Sequence, residues 1–216
     1  MDKKIIAIVL VSVGLLAIAA GAIFIFNSGD EDQTIESSNT NTAEGESSMN
    51  KDSKAIVVYF SAQNHTKNVA TKIAENIGAD IFEIEPVQKY TEDDLSWTSS
   101  TSRVSREHND ASLQDVELKT ASVPNWDEYE TVFLGYPIWW GGSAWPMDSF
   151  VKQNDFGGKT VIPFCTSHSS GIGTSNIDLQ AKATGGNWQS GYCFSQDATD
   201  EDIKAWTDKL NSAKEE

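Results

Sequence analysis

Residues 56–66, Ile-Val-Val-Tyr-Phe-Ser-Ala-Gln-Asn-His-Thr, constrain the fold of this chain more than any other stretch. An apolar, β-branched run ends abruptly in a short polar loop. After the loop, Val69, Ala70, Ile73, Ala74 and Ile77 recur at helical spacing. The pattern predicts a buried strand over 55–60, a tight loop, and a helix over 66–77 stopped by Gly78. In such a unit the loop N–H groups and the helix N-terminus converge on one point and form an anion site. The loop contains no Lys or Arg, so an anion there would be held by neutral dipoles.

The alternation continues down the chain. Further strands are expected at 80–85, 131–136, 160–166 and 188–194, with Pro163 weakening the fourth. Helical patterns follow at 146–153, 174–183 and 199–212. Strands alternating with helices predict an α/β fold with a doubly wound five-stranded parallel sheet. The long polar connection at 90–123 is expected on the surface, with a helix over 93–109 carrying only Leu95, Trp97 and Val104 as large apolar residues. His108 within it reads as solvated, and Asp93 and Asp94 as a solvated helix start.

Ahead of this domain, residues 5–26 are free of charge and long enough to cross a bilayer as one helix. Lys3 and Lys4 precede them, while Asp30, Glu31 and Asp32 follow. The positive-inside bias puts residues 1–4 in the cytoplasm and the rest outside. A cleaved signal peptide competes, because Ala17-Ile18-Ala19 and Ala20-Gly21-Ala22 resemble cleavage sites. The retained anchor is favoured because the apolar run continues to Phe26. No Cys lies near the segment, which excludes a lipoprotein. Residues 27–53 are polar, too poor in apolar side chains to form a core, and read as a linker to the domain at 54–216.

The formal net charge is −16, and the longest basic run is Lys3-Lys4. Nucleic-acid binding is therefore not expected, and a charged partner would be basic. The two cysteines, Cys165 and Cys193, both fall in expected strands, where disulfide geometry is poorly met. Two buried free thiols are favoured over a bridge. Cys165 and His168 share a spacing used by metal sites, but no second pair accompanies them, so no metal is expected.

Open parallel sheets bind ligands beyond the carboxyl ends of their strands. Three loops fall there. The first holds Ser61, Gln63, Asn64, His65 and Thr66. The second, Pro137, Ile138, Trp139, Trp140 and Gly141, sets two adjacent indoles between Pro and Gly, and at least one should be exposed for stacking on a flat ligand. The third supplies Thr166, Ser167, His168, Ser169, Gly171 and Gly173, a rim of hydroxyl and N–H donors with glycines that permit close approach. A phosphate pocket, a flat slot and a donor rim together fit a ring with a phosphate tail, and flavin mononucleotide (FMN) is the candidate.

Over residues 54–210 the chain resembles the flavodoxin family. It is especially similar to members with the loop read here as Gly135-Tyr136-Pro137-Ile138-Trp139-Trp140. The segments Tyr90–Leu95, Ser102, Arg103 and Glu107, and Phe164–Ser175, extend the likeness. The resemblance implies FMN held without a covalent link, its phosphate in the 61–66 loop and its isoalloxazine between the 137–141 and 166–173 loops. Ser61 and Thr66 match hydroxyl positions of the family's phosphate motif. Gln63 and Asn64 stand where the family has Thr and Gly. Asn tolerates a left-handed backbone, and Gln keeps an amide donor. His65 stands where the family often has Asn, and when protonated it would add positive charge beside the phosphate.

The implied function is a one-electron shuttle outside the cytoplasm, serving redox partner proteins drawn by an acidic edge. An FMN-dependent NAD(P)H quinone or nitro reductase is the alternative. A third reading, motivated by Gln63 and Asn64, is a flavodoxin-fold interaction module without flavin.

Overall fold

The computed structural model describes residues 54–212. The expected anchor at 5–26, the N-terminus at 1–4 and the linker at 27–53 lie outside the described residues. Among the described residues no helix is long and apolar enough to cross a membrane.

Strand β1 (Ala55–Tyr59) leads into helix α1 (His65–Ile77) and then β2 (Asp80–Glu83). After a long connection with helix α2 (Arg103–Asn109) come β3 (Thr131–Trp139), the two-residue β4 (Gly142–Ser143) and α3 (Pro146–Gln153). Strand β5 (Thr160–Ser167), α4 (Ser175–Lys182), β6 (Asn187–Trp188), β7 (Tyr192–Ser195) and α5 (Asp200–Ser212) complete the order. The main sheet runs β2-β1-β3-β5-β6, with β7 also paired to β5 and β4 to β3. All pairs are parallel except β3–β4. Chain direction across the sheet reverses between β1 and β3, which opens a crevice at their carboxyl ends.

Period-two alternation assigns the side chains to two layers. Val57, Tyr59, Phe133, Ile162 and Phe164 pack with Val69, Ile73, Ile203 and Trp206 of α1 and α5. Ile56, Val58, Val132, Leu134 and Val161 pack with Met147, Phe150, Val151 and Leu179 of α3 and α4. Each fully buried side chain of this size stabilises the fold by about 1.5–3 kcal/mol. Gly135 has to be glycine here, because a methyl group at that position would overlap the buried Phe164 ring.

The expectation of five strands is corrected: the sheet has seven. The fifth position is split into β6 and β7, and Pro163 supplies the reason. Lys159 and Val161 accept from Asn187 and Gln189, so odd-numbered residues of β5 face the fifth position. Pro163 therefore lacks its N–H on that side, and the ladder breaks opposite it. Pro137 does not end β3 as expected. Gly135 accepts from Phe60, so Pro137 faces the side where β1 has already stopped and no donor is needed. Its carbonyl accepts from Ala144 at 3.2 Å as β4 folds back.

The expected helix over 93–109 is corrected to Arg103–Asn109. Asp93 and Asp94 start no helix: Thr91 and Asp94 each accept from the other's backbone N–H, and only turns follow. The helix begins at Ser102, whose side chain accepts from the Ser105 N–H. Nor is this segment a detached surface strip. Val104 packs with Val116 and Trp145, and Leu95 and Tyr90 lie against that cluster.

Candidate functional site

The first loop delivers the start of α1 to the crevice. Asn64 caps the helix at φ 67°, the left-handed conformation in which Asn replaces Gly at least cost. Among the described residues no side chain caps this end, and no acidic residue lies in its first turn. The first-turn N–H groups are thus left to a ligand or to solvent. Lys67, the nearest cation in sequence, is turned away into a 2.8 Å ion pair with Glu83. His65 is tethered: its Nδ1–H donates to the Gln196 carbonyl at 3.0 Å, which leaves Nε2 as the free ring nitrogen. Thr66 is almost fully buried, and its hydroxyl meets that of Thr166 at 2.8 Å. One hydroxyl donates to the other, so the pair keeps one O–H to offer.

The second loop is a hairpin. Trp139 pairs with Gly142 across β3 and β4, and the two residues between, Trp140 and Gly141, have φ 47° and 83°. Two positive values mark a type I′ turn, which ordinarily uses Asn-Gly. A tryptophan there is strained by about 1–3 kcal/mol, and such strain gathers at ligand sites. The neighbouring indoles diverge. Trp139 turns inward, edge-on to Phe60 and Tyr90. Trp140 stays 42% exposed, stacked by His108 at 4.6 Å and by Trp145 at 5.8 Å. His108 is exposed but not simply solvated, since its ring lies on an indole.

The third loop is shaped by Ser167, whose hydroxyl accepts from the Ser170 N–H at 3.0 Å. Gly173, at φ 55°, sits against the Gly141 carbonyl and brings the second and third loops together.

The three loops enclose a cavity of about 640 Å³, within the usual range for small-molecule sites. Of the expected site residues, Ser61, Gln63, His65, Thr66, Pro137, Ile138, Trp139, Trp140, Thr166, Ser167, His168 and Ser169 line it. Asn64, Gly141, Gly171 and Gly173 do not; the positive φ of Asn64, Gly141 and Gly173 shapes the backbone around the cavity. Ala62 and Ser170, inside the expected loops but not among the expected site residues, also line it, as do Leu95, Trp97, Val104 and Gln196, which sequence reasoning missed. The available signal was three large apolar residues in an otherwise polar segment. Among the described residues no carboxylate lines the cavity.

A family model described as Flavodoxin matches residues 54–210. The chain belongs to the flavodoxin family. This flavodoxin-family chain is 36% identical to a protein assigned as a flavoprotein from Bacteroides eggerthii, covering 74% of this chain and 98% of that one at a TM-score of 0.66. A similar assignment from Bacteroides uniformis is 37% identical over 72% and 98% of the two chains, at a TM-score of 0.67. A Lactobacillus acidophilus flavoprotein crystallised with FMN shares the fold at 21% identity, 72% and 99% coverage, and a TM-score of 0.52. Comparison with curated proteins gives no match.

Proposed function

We propose that this flavodoxin-family domain binds FMN non-covalently and passes electrons singly between partner proteins. The observation that carries the reading is the cavity itself, lined together by the uncapped N-terminus of α1, two indoles and a donor-rich loop. The residues present fit the cofactor. The N–H groups of the first turn of α1, with Ser61, Gln63 and His65, would hold the phosphate. Ile138, Trp139 and Trp140 on one side and Thr166–Ser169 on the other would bound the ring. The bound flavin supplies the redox chemistry. The chain's own part is to bind, orient and exclude water, and no acid–base residue is required of it.

Trp140 gives a test of the ring slot. Asn suits a left-handed turn position, so Trp140→Asn relieves strain of about 1 kcal/mol. It also removes ring stacking worth about 1 kcal/mol. Folding stability should therefore change by less than about 1 kcal/mol in chemical denaturation. FMN affinity should still fall about tenfold for the loss of aromatic contact.

The shuttle reading places the domain outside the cytoplasm, tethered by residues 5–26 through the 27–53 linker, with basic redox partners drawn by the net charge of −16. Potentiometric reduction of the FMN-loaded chain tests it. Two separable one-electron steps, displaced from those of free FMN, are expected. A single two-electron step with NAD(P)H turnover would move the assignment to the reductase. That second reading draws on Leu95 and Trp97, which add an apolar wall where a substrate could lie.

A further inference from the structure

Cys165 of β5 and Cys193 of β7 are direct register partners in neighbouring parallel strands. Adjacent strands lie about 4.8 Å apart, inside the Cα–Cα window of about 4.4–6.8 Å that a disulfide requires. Both side chains leave the sheet on the same face. Cys165 is fully buried in the α3/α4 layer, and Cys193 packs against that layer while remaining half-exposed. The Cα spacing of this register pair therefore permits a bridge. Both are free thiols in this structure.

We propose that Cys165 and Cys193 are a reversible dithiol–disulfide pair that controls the wall of the cavity. The accessible member opens the exchange. The Cys193 thiolate attacks a low-molecular-weight disulfide, forms a mixed disulfide and releases one external thiolate. Cys165 then loses its proton and attacks the Cys193 sulfur, releasing the second. One external disulfide is reduced to two thiols while the protein dithiol is oxidised, and the two hydrogens leave on the released thiols. The division of labour follows from the surroundings. Burial, followed by the adjacent Cys193 thiol, pushes the Cys165 thiol up, so it is a poor first nucleophile. Its intramolecular step needs only the neighbour already in register.

The link to the cavity is one contact. The Cys193 thiol donates to the Ser170 carbonyl at 3.6 Å, and Ser170 lines the cavity. Closure consumes that donor and loosens the loop at Ser170, while the Gln196 N–H to Ser167 carbonyl bond stays in place. The outward-facing location proposed above is an oxidising setting in which such a bond persists.

The test uses the folded full-length chain incubated with oxidised glutathione, without added flavin, and then reduced with dithiothreitol. Expected are loss of both titratable thiols, an intact mass lower by two hydrogens, a monomer on a non-reducing gel, and full reversal. Amide hydrogen exchange at residues 169–171 should run at least threefold faster in the oxidised form. In Cys165→Ser, glutathione should stay attached to Cys193. A wild-type chain that retains glutathione on Cys193 with Cys165 free, forms a covalent dimer, or closes only in urea overturns the pair. Closure with unchanged exchange overturns the control of the loop. Neither readout needs FMN, so failure here and failure of the flavin assignment remain separate results.

Discussion

Replacing Gln63 by Glu is expected to weaken FMN binding about 100-fold while leaving the apo-domain as stable as before or slightly more so. Gln63 lines the cavity one residue before the N-cap of α1. A carboxylate there faces the positive end of the helix, which stabilises the folded apo-domain by about 0.3–1 kcal/mol. The same carboxylate would face a phosphate carrying nearly two negative charges. At about 6 Å and an effective dielectric between those of water and a protein surface, the repulsion amounts to about 2–4 kcal/mol. The opposite signs distinguish this outcome from simple misfolding. Riboflavin, which lacks the phosphate, should lose far less affinity. Fluorescence titration with both flavins, alongside urea denaturation of the apo-protein, checks it. Equal losses for the two flavins would remove the phosphate from the 61–66 loop.

Glu107→Ala should cost about 3 kcal/mol of stability, at the lower end for breaking a buried ion pair. Glu107 is only 5% exposed. One carboxylate oxygen accepts from Arg103 Nε at 2.6 Å and the other from the Tyr90 hydroxyl at 2.9 Å. Arg103 also lies over the Tyr90 ring at 3.8 Å and donates to the Gln88 carbonyl. Those two contacts survive the substitution and keep the loss near the lower bound. This network fastens the segment that brings Leu95, Trp97 and Val104 to the cavity, so FMN affinity should fall with it. Tyr90→Phe removes one hydrogen bond and should cost about 1 kcal/mol. Adding Arg103→Met to Glu107→Ala should recover part of the loss, since no partly buried guanidinium is then left without its carboxylate. Urea unfolding followed by tryptophan fluorescence measures all three. A cost below about 1 kcal/mol for Glu107→Ala would mean the pair is solvated and the segment is held otherwise.

Much of this site could be read from the chain because its signals are local. The change from strand to helix periodicity around Ser61–Thr66 gave β1, the loop and α1. The left-handed backbone at Asn64 followed from the resemblance, since Asn stands there where the family has Gly. The divergence of Trp139 and Trp140 followed from their adjacency. What escaped depended on partners distant in sequence. Trp140-Gly141 has the usual glycine of a tight hairpin turn but a tryptophan in place of Asn, so β4 was invisible. The break between β6 and β7 arises from Pro163 on a different strand. Leu95, Trp97 and Val104 looked like stray apolar residues on a surface helix, and the Arg103–Glu107–Tyr90 network that draws the segment inward required the fold to be known. His108 could not be placed on Trp140 without it, nor could the two cysteines be placed in register.

The most direct measurement is a titration of the purified full-length chain into FMN, followed by flavin fluorescence and visible absorbance. Saturation at one FMN per chain, with quenched fluorescence and a shifted flavin band, is the predicted result. Unchanged fluorescence and absorbance at micromolar protein would contradict it, and would leave the cavity to a ligand without a phosphate-bearing flavin.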